Sequence, residues 1–317
     1  MTKIVILDGH VANPGDLSWQ AIENQGALTV YKRTPQELII ERAKEADIVL
    51  VNKCKLTQPI IRQLPNLKCI CLLATGYNNV DTIAAKEQNI VVCNAKGYSG
   101  PAVAQHVFSL LLELTNQVGV HNQIVQQNGW ATSIDWSFWN NPMVELSGKT
   151  MGIYGLGTIG KQVAKIALAF GMKVIAVRKN VNKPTPSSVQ LVTLNQLFSQ
   201  SDVLTLHAPL TAENEGFINQ STLKQMKNTA ILINTGRGGL VNETDLRTAL
   251  LEGQIAGAGL DVLSQEPPPE NHILQGIPNC LITPHHAWAT RASRARLIEI
   301  VAENIRAFLA GQPRNVV

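Results

Sequence analysis

Short apolar runs and amphipathic stretches alternate along the whole of this 317-residue chain. Up to about residue 100 the runs are Ile4 to Leu7, Ile48 to Val51, Cys69 to Leu73 and Ile90 to Cys93, rich in Val, Ile and Leu. Runs of this kind between helix-patterned segments predict buried parallel strands joined by crossover helices. One helix start is written out at Thr34-Pro35-Gln36-Glu37, where an N-cap, a proline at the first helical position and a capping-box acid follow in order.

Near Ser99-Gly100-Pro101 the pattern changes. The segment A-V-A-Q-H-V-F-S-L-L-L-E-L carries apolar residues around most of a helical circumference, which predicts a buried connecting helix and places a domain boundary at its start. An aromatic loop with Trp130, Trp136, Phe138 and Trp139 follows, then a strand at Thr150 to Tyr154, a glycine turn, a helix to Phe170 and a strand at Val174 to Val177: one βαβ unit. Val203 to Leu206, Ile231 to Ile233, Gly259 to Val262 and Leu281 to Thr283 repeat the strand rhythm, and a final amphipathic helix from about residue 291 is closed by Gly311. Pro267 to Pro269 reads as a stiff local turn. The length suits two domains with separate cores.

Composition narrows the classes. Hydrophobic residues are 45% and charged residues 16%, and 27 basic against 23 acidic side chains give +4 with no basic block. This excludes a nucleic-acid footprint and suits small anions. Cys54, Cys69, Cys71, Cys93 and Cys280 read as reduced thiols, with Cys69 and Cys71 on one face of a strand and without the further close ligands a metal site needs. No apolar run approaches the roughly 18 residues of a membrane span, and the opening M-T-K-I-V-I-L lacks a signal-peptide pattern. The expectation is a cytoplasmic protein.

The chemistry is concentrated at the ends of the later strand-like runs. Gly155, Gly157 and Gly160 form G-x-G-x-x-G between a strand and a helix. There the first glycine makes the tight turn, the second admits a pyrophosphate and the third packs helix on strand, with the amides of Leu156, Thr158 and Ile159 facing the phosphates. The next strand ends in V-R-K-N, with Arg178 and Lys179 where NAD folds place a carboxylate. That favours a 2′-phosphate, so NADP(H) is the expected cofactor and NAD(H) the alternative.

Arg237 in I-N-T-G-R-G, Glu266 in L-D-V-L-S-Q-E-P-P and His285 in I-T-P-H-H-A-W also follow strand-like runs, where open α/β sheets bind ligands. Arg suits a carboxylate, because its planar fork matches that group. His suits proton donation near neutral pH, and Glu266 would hold its imidazolium by hydrogen bond and opposite charge.

Over essentially its whole length the chain resembles the D-isomer-specific 2-hydroxyacid dehydrogenase family. The resemblance is carried by G-L-G-T-I-G, T-G-R-G, D-V-L-S-Q-E-P and T-P-H, and it implies Arg237, Glu266 and His285 as the catalytic residues. More softly, A-T-G-Y-N-N-V-D implies Ala74, Thr75 and Gly76 as substrate-carboxylate contacts beside Arg237 and His285, while H-A-P-L-T with His207 and Thr211, together with Thr235 and Asp261, implies cofactor-side contacts. N-A-K-G-Y-S-G-P departs from the commoner family pattern. The implied fold is α/β, with two doubly wound parallel-sheet domains: a Rossmann domain at 101–289 inserted into a flavodoxin-like substrate domain formed by 1–100 and 290–317.

Within the family the Trp-rich loop and the ending L-I-T-P-H-H-A-W-A-T-R are most similar to glycerate dehydrogenases, also called hydroxypyruvate reductases. The expected reaction is nicotinamide-dependent reduction of hydroxypyruvate, and of glyoxylate, to the 2-hydroxy acid. Alternatives are a D-lactate-type dehydrogenase acting on pyruvate and a nucleotide-sensing, corepressor-like binding protein. The resemblance also implies a homodimer built on the nucleotide domain, with Trp136 or Trp139 reaching a partner's substrate site.

Overall fold

A computed structural model describes residues 1–317. The chain divides into two compact units, Met1–Ser99 with Trp288–Val317, and Gly100–Ala287.

The first unit holds a five-stranded sheet of β1 (Lys3–Ile6), β2 (Ala27–Val30), β3 (Ile48–Val51), β4 (Cys69–Leu72) and β5 (Val91–Cys93), in the order β2-β1-β3-β4-β5. Every pairing is parallel. Strands β3 and β4 are buried at every position, which is why the sequence shows continuous apolar runs there and not alternation. Each face has its own core. Ile39, Ile61 and Ile70 lie on one side, and on the other Ile4, Ile6 and Leu50 meet Leu297, Val301 and Ile305 of the last helix, Arg291–Leu309. Arg294 ties that helix down with a two-pronged contact to Asp16, at 2.7 Å from each carboxylate oxygen.

The second unit holds a seven-stranded sheet of β6 (Thr150–Tyr154), β7 (Lys173–Val177), β8 (Val189–Leu191), β9 (Val203–Leu206), β10 (Ile231–Asn234), β11 (Gly257–Leu260) and β12 (Cys280–Ile282), in the order β12-β11-β10-β9-β6-β7-β8. It too is wholly parallel. The helix Gly100–Asn116 packs Val107, Leu110 and Leu111 on one face beside Val163 and Ala167 of the helix Thr158–Ala169, and Leu197, Leu223 and Leu246 cover the other. Both units are therefore the parallel α/β layers that the alternating pattern predicted.

The structure adds elements the pattern did not show and corrects one expectation. The strands β2 and β8 do not show in the pattern, because β2 buries none of its residues and the three residues of β8 bury only Val189. A helix at Val118–Gln126 precedes the aromatic loop and buries none of its residues, so it carries no core stripe. The capping box at Thr34 does not form. The Thr34 hydroxyl donates to the Leu7 carbonyl instead, and a 3-10 turn at Gln36–Leu38 opens that segment without a side-chain cap.

The cysteines are unpaired. Cys54, Cys69, Cys71 and Cys93 are buried and Cys280 is half-buried, and Cys69 and Cys71 share a strand face with sulfurs 3.7 Å apart. No helix is long and apolar enough to cross a membrane.

Candidate active site

Parallel pairing sends every strand of the second unit to the same edge of the sheet, and the residues singled out there lie just beyond the carboxyl ends of successive strands. Across the sheet from β12 these are His285, then Asp261 and Glu266 after β11, Thr235 and Arg237 after β10, His207 after β9, the glycine turn after β6 and Arg178 after β7. At about 4.8 Å per strand, Arg237 and Arg178 stand roughly three strand spacings, or about 14 Å, apart along that edge. The order of strands reverses about β6, the switch point at which such sheets bind ligands.

His285 is held on both sides. Its Nδ1 lies 2.6 Å from Glu266 Oε2, while Glu266 Oε1 accepts from the Leu263 amide at 3.2 Å, so the carboxylate is braced by the chain that carries it. The two side chains are 28% and 32% exposed, which leaves the pair within reach of a ligand. The backbone of His285 is left-handed, at φ 50°, an unusual conformation for a residue with a Cβ. Its amide is fixed by the Asp261 and Thr283 carbonyls at 2.8 and 3.0 Å.

Arg237 sits in a turn closed by Asn234. The Asn234 Oδ1 accepts from the Gly236 amide at 3.0 Å and its Nδ2 donates to the Arg237 carbonyl at 2.8 Å. Arg237 Nη1 donates to the Gly236 carbonyl at 2.8 Å, which presets the half-buried guanidinium. Asn234 is fully buried and ends β10, and neither its role nor that of Thr283 stands out from residue type alone.

Asp261 is almost wholly buried, at 1% exposed. Its Oδ1 accepts from the Thr283 hydroxyl at 2.6 Å and the His286 amide at 3.0 Å, and its Oδ2 from the Ala287 amide at 2.9 Å. His207 bonds Thr205 through Nε2 at 2.9 Å while its buried Nδ1 has no partner. Burial alone pushes the His207 pKa down to about 3, so the ring is neutral. The buried hydroxyl of Thr235 is also without a partner. Exposed Thr211 receives its local fixing from Asn214 Oδ1, 2.7 Å from the Thr211 amide.

The glycine turn has the shape a pyrophosphate needs. Gly155 has φ 101°, and a Cβ there would lie 2.6 Å from the Ala208 amide nitrogen. A Cβ on Gly160 would lie 2.3 Å from the Gly155 carbonyl oxygen, whereas one on Gly157 would meet nothing within 4 Å. The first and third glycines are thus required by packing, and the second opens onto free space beside the amino end of the helix Thr158–Ala169. Its first helical bond runs from Lys161 N to Gly157 O, so the preceding first-turn amides have no helical acceptor. Leu156 is a buried anchor, and Thr158 and Ile159 sit at that helix start.

At the end of β7, Arg178 Nη1 lies 3.3 Å from Lys183 O, Pro184 O and Thr185 Oγ1, folding the following loop around the guanidinium; Lys179 beside it is exposed. In the first unit, Ala74, Thr75 and Gly76 follow β4. The Thr75 hydroxyl donates to Ala95 O at 2.6 Å and its carbonyl accepts from Asn94 Nδ2 at 2.7 Å, which makes this a pinned turn.

Residues 108–287 match the family described as D-isomer specific 2-hydroxyacid dehydrogenase, NAD binding domain. The chain belongs to the D-isomer specific 2-hydroxyacid dehydrogenase family. A hydroxypyruvate reductase of Blautia hydrogenotrophica is 45% identical over 319 residues, 99% of each chain. A glycerate dehydrogenase of Methylorubrum extorquens is 42% identical over 286 residues, covering 90% of this chain and 89% of its own. Among solved structures, an acyclic imino acid reductase in complex with NADPH and D-Arg is 33% identical, with a TM-score of 0.87 and all of both chains covered. The matched domain makes the dinucleotide a nicotinamide cofactor. The open cradle at Gly157 and the partnerless buried Thr235 hydroxyl and His207 nitrogen fit such a group.

Proposed function

We propose that this dehydrogenase reduces hydroxypyruvate to D-glycerate, and glyoxylate to glycolate, with a preference for NADPH. The observation that carries the reading is the His285–Glu266 pair at 2.6 Å beyond β12 and β11, with Arg237 beyond the neighbouring strand β10, on the same sheet edge as the glycine turn. The two relatives named for hydroxypyruvate and glycerate support the substrate.

When bound, the reduced nicotinamide supplies the hydride for the keto carbon. Arg237 takes the substrate carboxylate in its two-pronged fork and orients the neighbouring carbonyl. His285 gives the carbonyl oxygen a proton from Nε2, the ring atom opposite the Glu266 contact, and Glu266 holds the ring in that orientation. In the first unit, the pinned turn at Ala74, Thr75 and Gly76 is the substrate-carboxylate loop that the family resemblance implies. His207, Thr211 and Thr235 line the cofactor side, and the buried Asp261 supports it from behind.

For the cofactor, the preset guanidinium of Arg178 and the adjacent Lys179 favour a 2′-phosphate, and no carboxylate ends β7 to repel it. Charge-assisted hydrogen bonds worth about 1.5–3 kcal/mol correspond to a roughly tenfold to hundredfold preference for NADPH. Steady-state kcat/KM for hydroxypyruvate, glyoxylate and pyruvate with each reduced cofactor tests both halves of the proposal. Arg178→Asp should reverse the NADPH/NADH ratio, and an unchanged ratio would sink the cofactor assignment while sparing the substrate one.

The protein also acts as a homodimer in this reading. Val118, Val120, Trp130, Ile134, Trp136, Trp139 and Met143 of the helix Val118–Gln126 and the following loop are all exposed, Ile134 and Trp136 at 102% and 88%. So many exposed large apolar side chains within one segment of the nucleotide-binding unit favour a covering surface, which a second copy would supply symmetrically. Light scattering should return twice the chain mass, and Trp136→Ser should lower it. The unpaired thiols are in keeping with a reducing, cytoplasmic setting.

A further inference from the structure

His106 lies in the middle of the helix Gly100–Asn116, a position the apolar pattern offered only as part of a buried face. Its side chain is 16% exposed, and its Nε2 stands 3.0 Å from Thr283 Oγ1, 177 residues further on. Thr283 gives its single hydroxyl proton to Asp261 Oδ1, so toward His106 it can only accept. His106 is therefore the Nε2–H tautomer. Burial holds its pKa below the usual histidine range, against the opposing pull of Asp261, so the ring is a neutral donor.

The chain of donors ends on Asp261, on which the backbone amides around His285 also converge. Asp261 accepts from the His286 and Ala287 amides through its carboxylate and from the His285 amide through its carbonyl. His106, Asp261 and His286 place polar atoms within 4.8 Å of one another, a spacing that also suits a metal ion. Both lone pairs of Asp261 Oδ1 are already taken by Thr283 and His286, however, so the cluster is built as a hydrogen-bond relay.

We propose that His106 is a positioning residue for His285: it locks the Thr283 hydroxyl onto Asp261, and Asp261 in turn holds the left-handed turn that aims the His285 imidazole. The proposal rests on the reading of His285 as the proton donor. A left-handed non-glycine residue persists only where its surroundings over-determine it, and this relay supplies that over-determination. Losing the His106 donor frees the Thr283 hydroxyl to rotate and loosens the turn. Loss of aim lowers turnover more than it lowers binding.

Four variants test this on the full chain, with kcat, KM, cofactor Kd by fluorescence titration and thermal melting as readouts. His106→Ala should lower kcat about 10- to 100-fold, the usual cost of removing an outer-shell partner, with KM and cofactor Kd within about twofold. His106→Gln, whose amide also donates to Thr283, should recover kcat to within about threefold. Thr283→Val should reproduce the loss, and His106→Ala with Thr283→Val together should be no worse than either alone, as members of one relay. Wild-type kcat in His106→Ala, no rescue by Gln, or losses that multiply in the double variant would each overturn the proposal. His285→Asn separates the two levels: if it keeps turnover, the proton-donor reading falls as well, and if it alone abolishes turnover, only the role of His106 is lost.

Discussion

The Glu266 carboxylate is fixed by the Leu263 amide before it touches His285, so its geometry should survive loss of its charge. Glu266→Gln should then cost about 10- to 100-fold in kcat/KM with little change in cofactor Kd, and near-wild-type turnover would remove Glu266 from the reaction. Arg237→Lys keeps the charge and loses the fork, which should weaken transition-state binding by about 2–4 kcal/mol, read as kcat/KM for keto acids. A parallel loss of NADPH affinity would contradict that division of labour. Arg237, Glu266 and His285 could be picked out in the sequence because each is a chemically distinctive residue just past an apolar run. Asn234, Thr283 and His106 could not, because their importance lies in side-chain bonds made by folding, and for His106 the partner is 177 positions away.

At the scale of elements, burial decided what the pattern revealed. Strands β3 and β4 are buried at every position and stand out as unbroken apolar runs, and β9 and β10, equally buried, carry only Thr205 and Asn234 as polar residues among apolar ones, while β2 buries no residue and β8 only Val189, and both look like loops. The same physics accounts for Thr34, where a local capping signal lost to a tertiary acceptor, the Leu7 carbonyl. The glycine turn could be read because two of its three glycines have no alternative. Gly160→Ala would press a methyl group against the Gly155 carbonyl at 2.3 Å, and should destabilise the fold by about 1–3 kcal/mol in urea unfolding as well as weaken cofactor binding. Gly157→Ala has open space and should leave unfolding unchanged while still weakening cofactor binding; equal stability of the two variants would refute the packing account.

For the molecule as a whole, His207 makes stability depend on pH. Its folded pKa of about 3 lies below the unfolded value of about 6.5, so the unfolded chain binds the extra proton between those limits. The contribution of the neutral ring is complete above about pH 6.5 and is lost as pH falls toward 3, by as much as roughly 4–5 kcal/mol in all and at most about 1.4 kcal/mol per pH unit. Urea midpoints between pH 7 and pH 4 should therefore fall more steeply for the unmodified protein than for His207→Gln, and parallel curves would show that this histidine does not govern the acid limb. The tryptophans divide in another way. Trp130, Trp136 and Trp139 stand in solvent on one loop, while Trp19 and Trp288 pack against the core of the first unit. For the proposed homodimer their fluorescence is consequently a built-in gauge of association: if two copies pair there, dilution should shift emission to longer wavelength, and Trp136→Phe should diminish the shift without touching the signal from the other unit.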